Sequence, residues 1–146
     1  MAYTRLLYHI VFSTKERKMF LDDDIRPRVR DYIGGIIHGE GGQLVAGDGP
    51  ADHIHLAVSL PATQAVADIV RVVKTNSSKW LHEQVPQMRD FSWQDGYSAF
   101  TVSPSVLSRV VRYISGQAEH HKRISFDDEL RRLLKRHGID FDPKYL

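Results

Sequence analysis

The order of β-rich and amphipathic segments is the feature of this chain that most constrains its fold. Four short runs rich in β-branched and aromatic residues predict strands, at residues 4–13, 43–46, 53–60 and 97–103. Two longer stretches, beginning near Ile25 and Val66, repeat apolar residues at helical spacing. The order strand, helix, strand, strand, helix, strand is that of the split βαβ pattern. We therefore predict an α+β, ferredoxin-like (RRM-like) fold, in which two helices pack on a four-stranded antiparallel sheet.

Two further helices are predicted after the last strand. Ser103 can cap a helix whose first residue is Pro104, and this helix is expected to run to about His121. A last helix is predicted over residues 127–137. A length of 146 residues suits one hydrophobic core, so we expect a single domain over residues 1–146.

The composition excludes several kinds of site and location. Because the chain has no cysteine, it can form neither disulfides nor thiolate metal sites. The net charge of +2 places any site for a polyanion on a local surface. Residues 1–13 lack the cleavage site of a signal peptide, and no apolar run approaches the roughly 20 residues of a membrane helix. We expect a cytoplasmic protein without a membrane partner.

The third predicted strand carries two histidines. Successive side chains of a strand alternate between faces, so His53 and His55 share one face while Ile54 and Leu56 point into the core. Two neutral imidazoles on a rigid strand can hold a divalent metal ion, although two polar residues on an exposed sheet face would give the same pattern. Asp52 precedes the pair, and alternation favours a turn or capping role for it over the orientation of a histidine.

The first helix after the last strand carries a tyrosine and a glutamine one turn apart. Tyr113 and Gln117 are four residues apart, so their side chains can face one shared site. A tyrosine on the flank of a helix can equally bury its ring and keep its hydroxyl in water. His120 and His121 follow, and a role at the helix end is favoured for them over metal or phosphate binding.

Five segments carry a family resemblance, and they are residues 8–12 (YHIVF), 52–56 (DHIHL), 74–80 (KTNSSKW), 93–97 (WQDGY) and 113–117 (YISGQ). In this order they resemble the HUH-type single-tyrosine transposases of the insertion-sequence-two-hundred group, often called TnpA. The resemblance implies that Tyr113 attacks DNA and that His53, His55 and Gln117 bind the metal. It also implies single-stranded DNA with hairpin ends as the partner, and a homodimer in which the tyrosine helix can serve the partner's site.

The chemistry implied by the resemblance is consistent with these residue types. Two imidazoles and a carboxamide leave coordination positions open for phosphate oxygens, which suits Mg²⁺ or Mn²⁺ better than a closed structural zinc. A nearby cation favours the phenolate of a tyrosine, which is otherwise a poor nucleophile near neutral pH. Attack by Tyr113 would leave a covalent 5′-phosphotyrosine and a free 3′ hydroxyl, so that DNA could be rejoined without ATP.

Contacts with DNA are predicted for basic residues in two regions, namely Lys15, Arg17 and Lys18 after the first strand and Arg71, Lys74 and Lys79 on the second helix. These side chains could equally be ordinary solvated surface charges. Trp80, Trp93 and Tyr97 could stack on bases, but packing in the core is the favoured role for Trp80.

Two other classes of function fit part of this pattern. A non-catalytic module that binds single-stranded nucleic acid could use the same sheet, but it would not need Tyr113. A metal-dependent hydrolase that activates water would need a carboxylate as general base, and only Asp52 lies near the histidines in the sequence.

Overall fold

A computed structural model describes residues 1–120 and 123–146, and within these residues four strands form one sheet. The strands are β1 (Leu6–Ser13), β2 (Gln43–Asp48), β3 (His53–Leu60) and β4 (Ser98–Thr101). The α-helices are α1 (Ile25–Gly39), α2 (Val66–Gln84), α3 (Leu107–Ser115), α4 (Gln117–His120) and α5 (Phe126–Arg136). The spatial order is β2-β3-β1-β4, and every paired strand is antiparallel. The predicted α+β, ferredoxin-like fold is confirmed.

Helices α1 and α2 cover one face of the sheet. Side chains such as Ile10 of β1 and Leu56 of β3 pack against them in the larger of two apolar clusters. Trp80 of α2 stacks on Tyr32 of α1 with the ring centroids 4.7 Å apart, so its predicted packing role is confirmed. No helix in the described part of the chain is both long and apolar enough to cross a membrane.

The opposite face of the sheet is also covered. Helix α3 lies against β2 and β3. Helix α5 packs against Val11 of β1 and Phe100 of β4 through an apolar stripe formed by Phe126, Leu130, Leu133 and Leu134. His53 and His55 lie on this face with 0% of their surface exposed. The alternative of two histidines on an exposed sheet face is therefore wrong, because α3 and α5 exclude solvent from it.

The single helix predicted from Pro104 to about His121 is divided in the structure. A 3-10 turn over Pro104–Val106 leads into α3, and a break at Gly116 separates α3 from α4. As predicted, Ser103 caps the start, because its side chain accepts a hydrogen bond from the backbone N–H of Ser105. The flanking strand β4 is shorter than predicted, since it pairs with β1 only over Ser98–Thr101.

Candidate catalytic and metal-binding site

Strand β3 places two imidazoles side by side on the covered face of the sheet. His53 and His55 lie opposite Ser13 and Val11 of β1 in the antiparallel register. The Nε2 atoms of the two histidines lie 3.2 Å and 3.0 Å from the same atom, Oε1 of Glu129 on α5. Both rings therefore direct one nitrogen to a common point, as alternation along the strand predicts.

A second hydrogen bond fixes each of these rings. His53 donates from Nδ1 to Oδ1 of Asp52 at 2.8 Å, and His55 Nδ1 shares a hydrogen bond of 2.8 Å with Nε2 of His9. The carboxylate of Asp52 therefore orients His53, the role that alternation along the strand had disfavoured. Asp52 lies in a bend before β3 begins, so the alternation of strand side chains does not apply to it. Each imidazole has its Nε2 left to face the site.

Tyr113 and Gln117 reach the same point from the other side. The Tyr113 hydroxyl donates a hydrogen bond to Oε2 of Glu129, and Gln117 Nε2 donates to the same oxygen at 2.9 Å. The Tyr113 ring lies with its centroid 5.7 Å from that of His55. The break at Gly116 does not separate the pair, because Gly116 N–H still bonds to the Arg112 carbonyl at 3.1 Å and so continues the helical turn.

The sequence analysis missed two residues of this site, His9 and Glu129. Glu129 is buried, and its carboxylate contacts the two β3 histidines, Tyr113 and Gln117. Glu129 is one of three acidic residues in the first turn of α5. Acidic residues are common at a helix N-terminus, so this pattern offered no reason to assign Glu129 to a site. Glu129 nevertheless lies three residues after Phe126 and four before Leu133, on the apolar stripe. A carboxylate at a core-facing position was the available signal.

The buried location shifts the protonation of these groups. Burial alone would lower the pKa of His53, but hydrogen bonds to Asp52 and Glu129 outweigh it and raise the pKa above 6.5. Burial and the neighbouring His55 lower the pKa of His9 from 6.5 to about 3. Burial, and then the hydrogen bond to Glu129, raise the pKa of Tyr113 above 10. In this arrangement Tyr113 is a neutral phenol.

The donor set fits a divalent metal ion. One ligand atom from each of His53, His55 and Glu129 lies within 4.8 Å of the other two. Oε1 of Gln117 is buried and has no hydrogen-bond partner in the described part of the chain. An amide oxygen is a ligand that Mg²⁺ and Mn²⁺ accept, and a buried polar atom usually has a partner.

His120 also lies beside this site. Its Nε2 is 3.5 Å from Oε2 of Glu129, and its ring centroid is 5.5 Å from that of Tyr113. The simple role at a helix end that the sequence favours is therefore incomplete, because the ring faces the carboxylate rather than solvent alone. His121 lies outside the described residues.

The six basic residues predicted to contact DNA differ in their surroundings. Lys15, Lys18, Arg71 and Lys79 are exposed. Two of them form ion pairs on the surface. Nζ of Lys18 lies 3.8 Å from Oε2 of Glu16, and Nη2 of Arg71 lies 3.7 Å from Oδ1 of Asp68. Arg17 forms a salt bridge with Asp127 and lies over the Phe126 ring, so it helps to dock α5.

Lys74 of α2 forms hydrogen bonds to the loop of residues 92–97. Its Nζ donates to the carbonyls of Gln94 and Gly96 at 2.7 Å and 2.5 Å. Burial lowers its pKa, and the nearby Asp95 opposes this shift. In the same loop, the carbonyl oxygen of Ser92 accepts a hydrogen bond of 2.9 Å from the backbone N–H of Lys15. Both predicted basic regions therefore adjoin residues 92–96.

The two aromatic residues of this loop lie in different environments. Trp93 is buried edge-on against Phe12 and Phe91, and its indole N–H donates to Ser77 Oγ at 2.9 Å. Trp93 is therefore a core residue, and the prediction that it stacks on bases is not supported by this packing. Tyr97 is 43% exposed and remains available for stacking.

Comparisons with known proteins agree with the geometry of the fold. A family model described as "Transposase IS200 like" matches residues 2–117. The ISDra2 transposase TnpA of Deinococcus radiodurans is 25% identical over 118 residues, which cover 77% of this chain and 84% of the relative. The transposase for insertion sequence element IS200 of Salmonella typhimurium is 28% identical over 130 residues, which cover 84% of each.

Two solved structures have a similar fold. The first is a crystal structure of a protein from Deinococcus radiodurans R1 that is described as a transposase. It has a TM-score of 0.64 and 25% identity, and the match covers 80% of this chain and 93% of that chain. The second is a REP-associated tyrosine transposase bound to a REP hairpin, with a TM-score of 0.62 and 15% identity. That match covers 85% of this chain and 73% of the other.

Proposed function

Because the chain belongs to the IS200-like transposase family, we propose that it cuts and rejoins single-stranded DNA at insertion-sequence ends, with Tyr113 as the nucleophile. The observation that carries the proposal is the convergence of Tyr113, His53, His55 and Gln117 on one carboxylate, Glu129. Tyr113 and the histidines come from elements that are far apart in the chain. A structural role for Tyr113 would not require its hydroxyl to bond to the carboxylate that also contacts the Nε2 atoms of two oriented imidazoles.

The proposed ligands of the divalent metal are His53, His55 and Gln117. His9 and Asp52 orient the two rings, so that each Nε2 faces the site before any metal arrives. The unpartnered Oε1 of Gln117 is the atom through which this residue would bind. When bound, Mg²⁺ or Mn²⁺ would polarise the scissile phosphate and favour the phenolate of Tyr113.

The proposed reaction is a phosphodiester exchange. The oxygen of Tyr113 bonds to the phosphorus of the scissile linkage, and the bond from phosphorus to the 3′ oxygen breaks. The phenol gives up one proton and the leaving 3′ oxygen gains one, so that a 5′-phosphotyrosine and a 3′ hydroxyl result. Attack by another 3′ hydroxyl reverses these changes and releases Tyr113. One phosphodiester bond replaces another, so no ATP is needed.

The DNA is proposed to approach across the surface around residues 92–97. Lys15 bonds to this loop through its backbone, and Arg71 of α2 lines a groove together with the loop. Both side chains are exposed, as is that of Lys79 further along α2, and exposed basic residues are suited to phosphate contacts. Tyr97 offers an exposed ring on the same loop. Hairpin ends remain the proposed recognition element, because one structure with the same fold holds a REP hairpin. We also retain the homodimer as a proposal, on the basis of the family resemblance alone.

Trapping of a covalent adduct tests the proposal. The protein is mixed with Mn²⁺ and a single-stranded oligonucleotide that carries the end of its own element, and the products are separated under denaturing conditions. We expect a DNA-linked protein band with the wild type and none with Tyr113→Phe, which removes only the attacking oxygen. Tyr32→Phe is the matched control, because Tyr32 stacks on Trp80 on the opposite side of the sheet.

Three results would contradict the proposal. An adduct formed by Tyr113→Phe would exclude Tyr113 as the nucleophile. Cleavage without an adduct would indicate a hydrolase that activates water. Binding of the oligonucleotide by the wild type without cleavage, unchanged in Tyr113→Phe, would indicate a non-catalytic nucleic-acid-binding module.

A further inference from the structure

We infer that Glu129 of α5 is an additional ligand of the divalent metal, so that a carboxylate from the C-terminal helix completes the site. The inference rests on the proposed function, which supplies His53 and His55 as ligands. Glu129 lies beyond the segment matched by the family model, which ends at residue 117. The carboxylate therefore comes from the C-terminal region, outside the segment that this family model describes.

The distances around Glu129 are those expected between ligands of one metal ion. Mg²⁺ binds its ligands at about 2.0–2.1 Å in octahedral geometry, which places neighbouring ligand atoms about 3 Å apart. Oε1 of Glu129 lies 3.2 Å from Nε2 of His53 and 3.0 Å from Nε2 of His55. One oxygen at this distance from two imidazole nitrogens can share a cation with both of them.

The hydrogen bonding of His53 also requires positive charge at this point. Its Nδ1–H is donated to Asp52, so a neutral ring presents the lone pair of Nε2 to Oε1 of Glu129. A lone pair and a carboxylate oxygen repel each other at this distance unless a cation, either a proton on Nε2 or a metal ion, lies between them. A divalent ion bonded to both atoms removes this repulsion and leaves the His53–Asp52 hydrogen bond intact.

The net charge of the ligands gives a third reason. His53, His55 and Gln117 are all neutral as ligands, and a dication in a buried site is costly unless anionic groups compensate it. Glu129 is 2% exposed and supplies one negative charge directly at the histidines. Its other oxygen, Oε2, accepts from Tyr113 and Gln117. Glu129 would thus connect the metal to the helix that carries the nucleophile.

Calorimetric titration of the protein with Mn²⁺ chloride tests this inference without DNA. We expect Glu129→Gln to weaken Mn²⁺ binding at least about tenfold, because the side chain keeps its size and loses its charge. Asp128→Asn is the matched control. It removes one charge from the neighbouring, exposed position of α5 and should bind Mn²⁺ as the wild type does.

The outcomes separate this inference from the proposed function. His55→Ala should abolish binding, and wild-type affinity in that variant would overturn the proposed metal site itself. If His55→Ala loses binding but Glu129→Gln keeps it, only the role of Glu129 is overturned. Tighter binding by Glu129→Gln would also overturn it, because Glu129 would then obstruct the metal. The unfolding temperature of each variant is also measured with and without Mn²⁺. The shift caused by Mn²⁺ reports binding to the folded protein, so it separates a loss of metal binding from a loss of folding.

Discussion

At the scale of single residues, the candidate site depends on side chains that hold other side chains in place. His53 and His55 each bind a metal through one nitrogen more tightly when the other nitrogen has a fixed partner. Asp52 performs this function for His53, and His9 performs it for His55. Burial and the adjacent His55 keep the pKa of His9 near 3, so this partner stays neutral near neutral pH.

Replacement of Asp52 by alanine tests the importance of this orientation. Loss of the carboxylate removes the acceptor of the His53 Nδ1–H bond but leaves the backbone carbonyl, which accepts from Thr14 N–H at 2.9 Å. We expect Asp52→Ala to weaken Mn²⁺ binding by roughly 10–100-fold, as measured by calorimetry. Asp90→Asn, at an exposed position, should leave the affinity unchanged. An unchanged affinity in Asp52→Ala would show that His53 needs no such partner.

At the scale of elements, the geometry of the site follows from how β3 begins. The turn between β2 and β3 brings Gly49 against the backbone of His53, where an added Cβ would lie 2.2 Å from the His53 carbonyl oxygen. Any residue other than glycine must therefore displace the start of β3. The strand that carries both histidines thus depends on a close backbone approach in the preceding turn.

Two glycine-to-alanine changes separate this effect from a general effect of alanine. We expect Gly49→Ala to destabilise the protein by about 1–3 kcal/mol, because the added methyl group overlaps backbone atoms that cannot rotate away. Gly35→Ala in α1 is the control, since nothing lies within 4 Å of its added Cβ. It should stabilise the protein by up to about 1 kcal/mol through helix propensity. Urea denaturation measures both, and equal stability of the two variants would refute the close-approach argument.

At the scale of the whole molecule, the residues of a single chain are sufficient to form the site. Tyr113 of α3 faces His55 of the same chain, with ring centroids 5.7 Å apart. Helix α5 lies over the same face and reaches both Tyr113 and the histidines through Glu129. The exchange of tyrosine helices implied by the family resemblance is therefore not needed to bring these side chains together.

A mixed assembly distinguishes the two arrangements. Tyr113→Phe and His55→Ala chains with different tags are co-expressed, and complexes containing both are isolated. We expect no covalent adduct with DNA, because each chain lacks a part of its own site. A complex of wild-type chains with chains carrying both substitutions should retain an adduct, which shows that mixed assemblies remain competent. Recovery of the adduct in the first mixture would show that Tyr113 acts at the partner's metal site.

Local periodicity explains what the sequence by itself determined. Alternation along β3 places His53 and His55 on one face, and a spacing of four places Tyr113 and Gln117 on one side of a helical turn. The order of strands and helices likewise predicts the sheet that was found. These features need only the backbone geometry of one element at a time, so they can be derived before any packing is known.

Only the tertiary structure decided which residues from separate elements meet. Glu129 comes from a helix whose acidic start resembles ordinary helix capping, and its contact with β3 depends on how the apolar stripe of α5 docks on Val11 and Phe100. His9 meets His55 because of the register between β1 and β3. No local period encodes such contacts, because they arise from packing between segments that are distant in the chain. For the same physical reason, the burial of the histidine face could not be predicted from the strand that carries it.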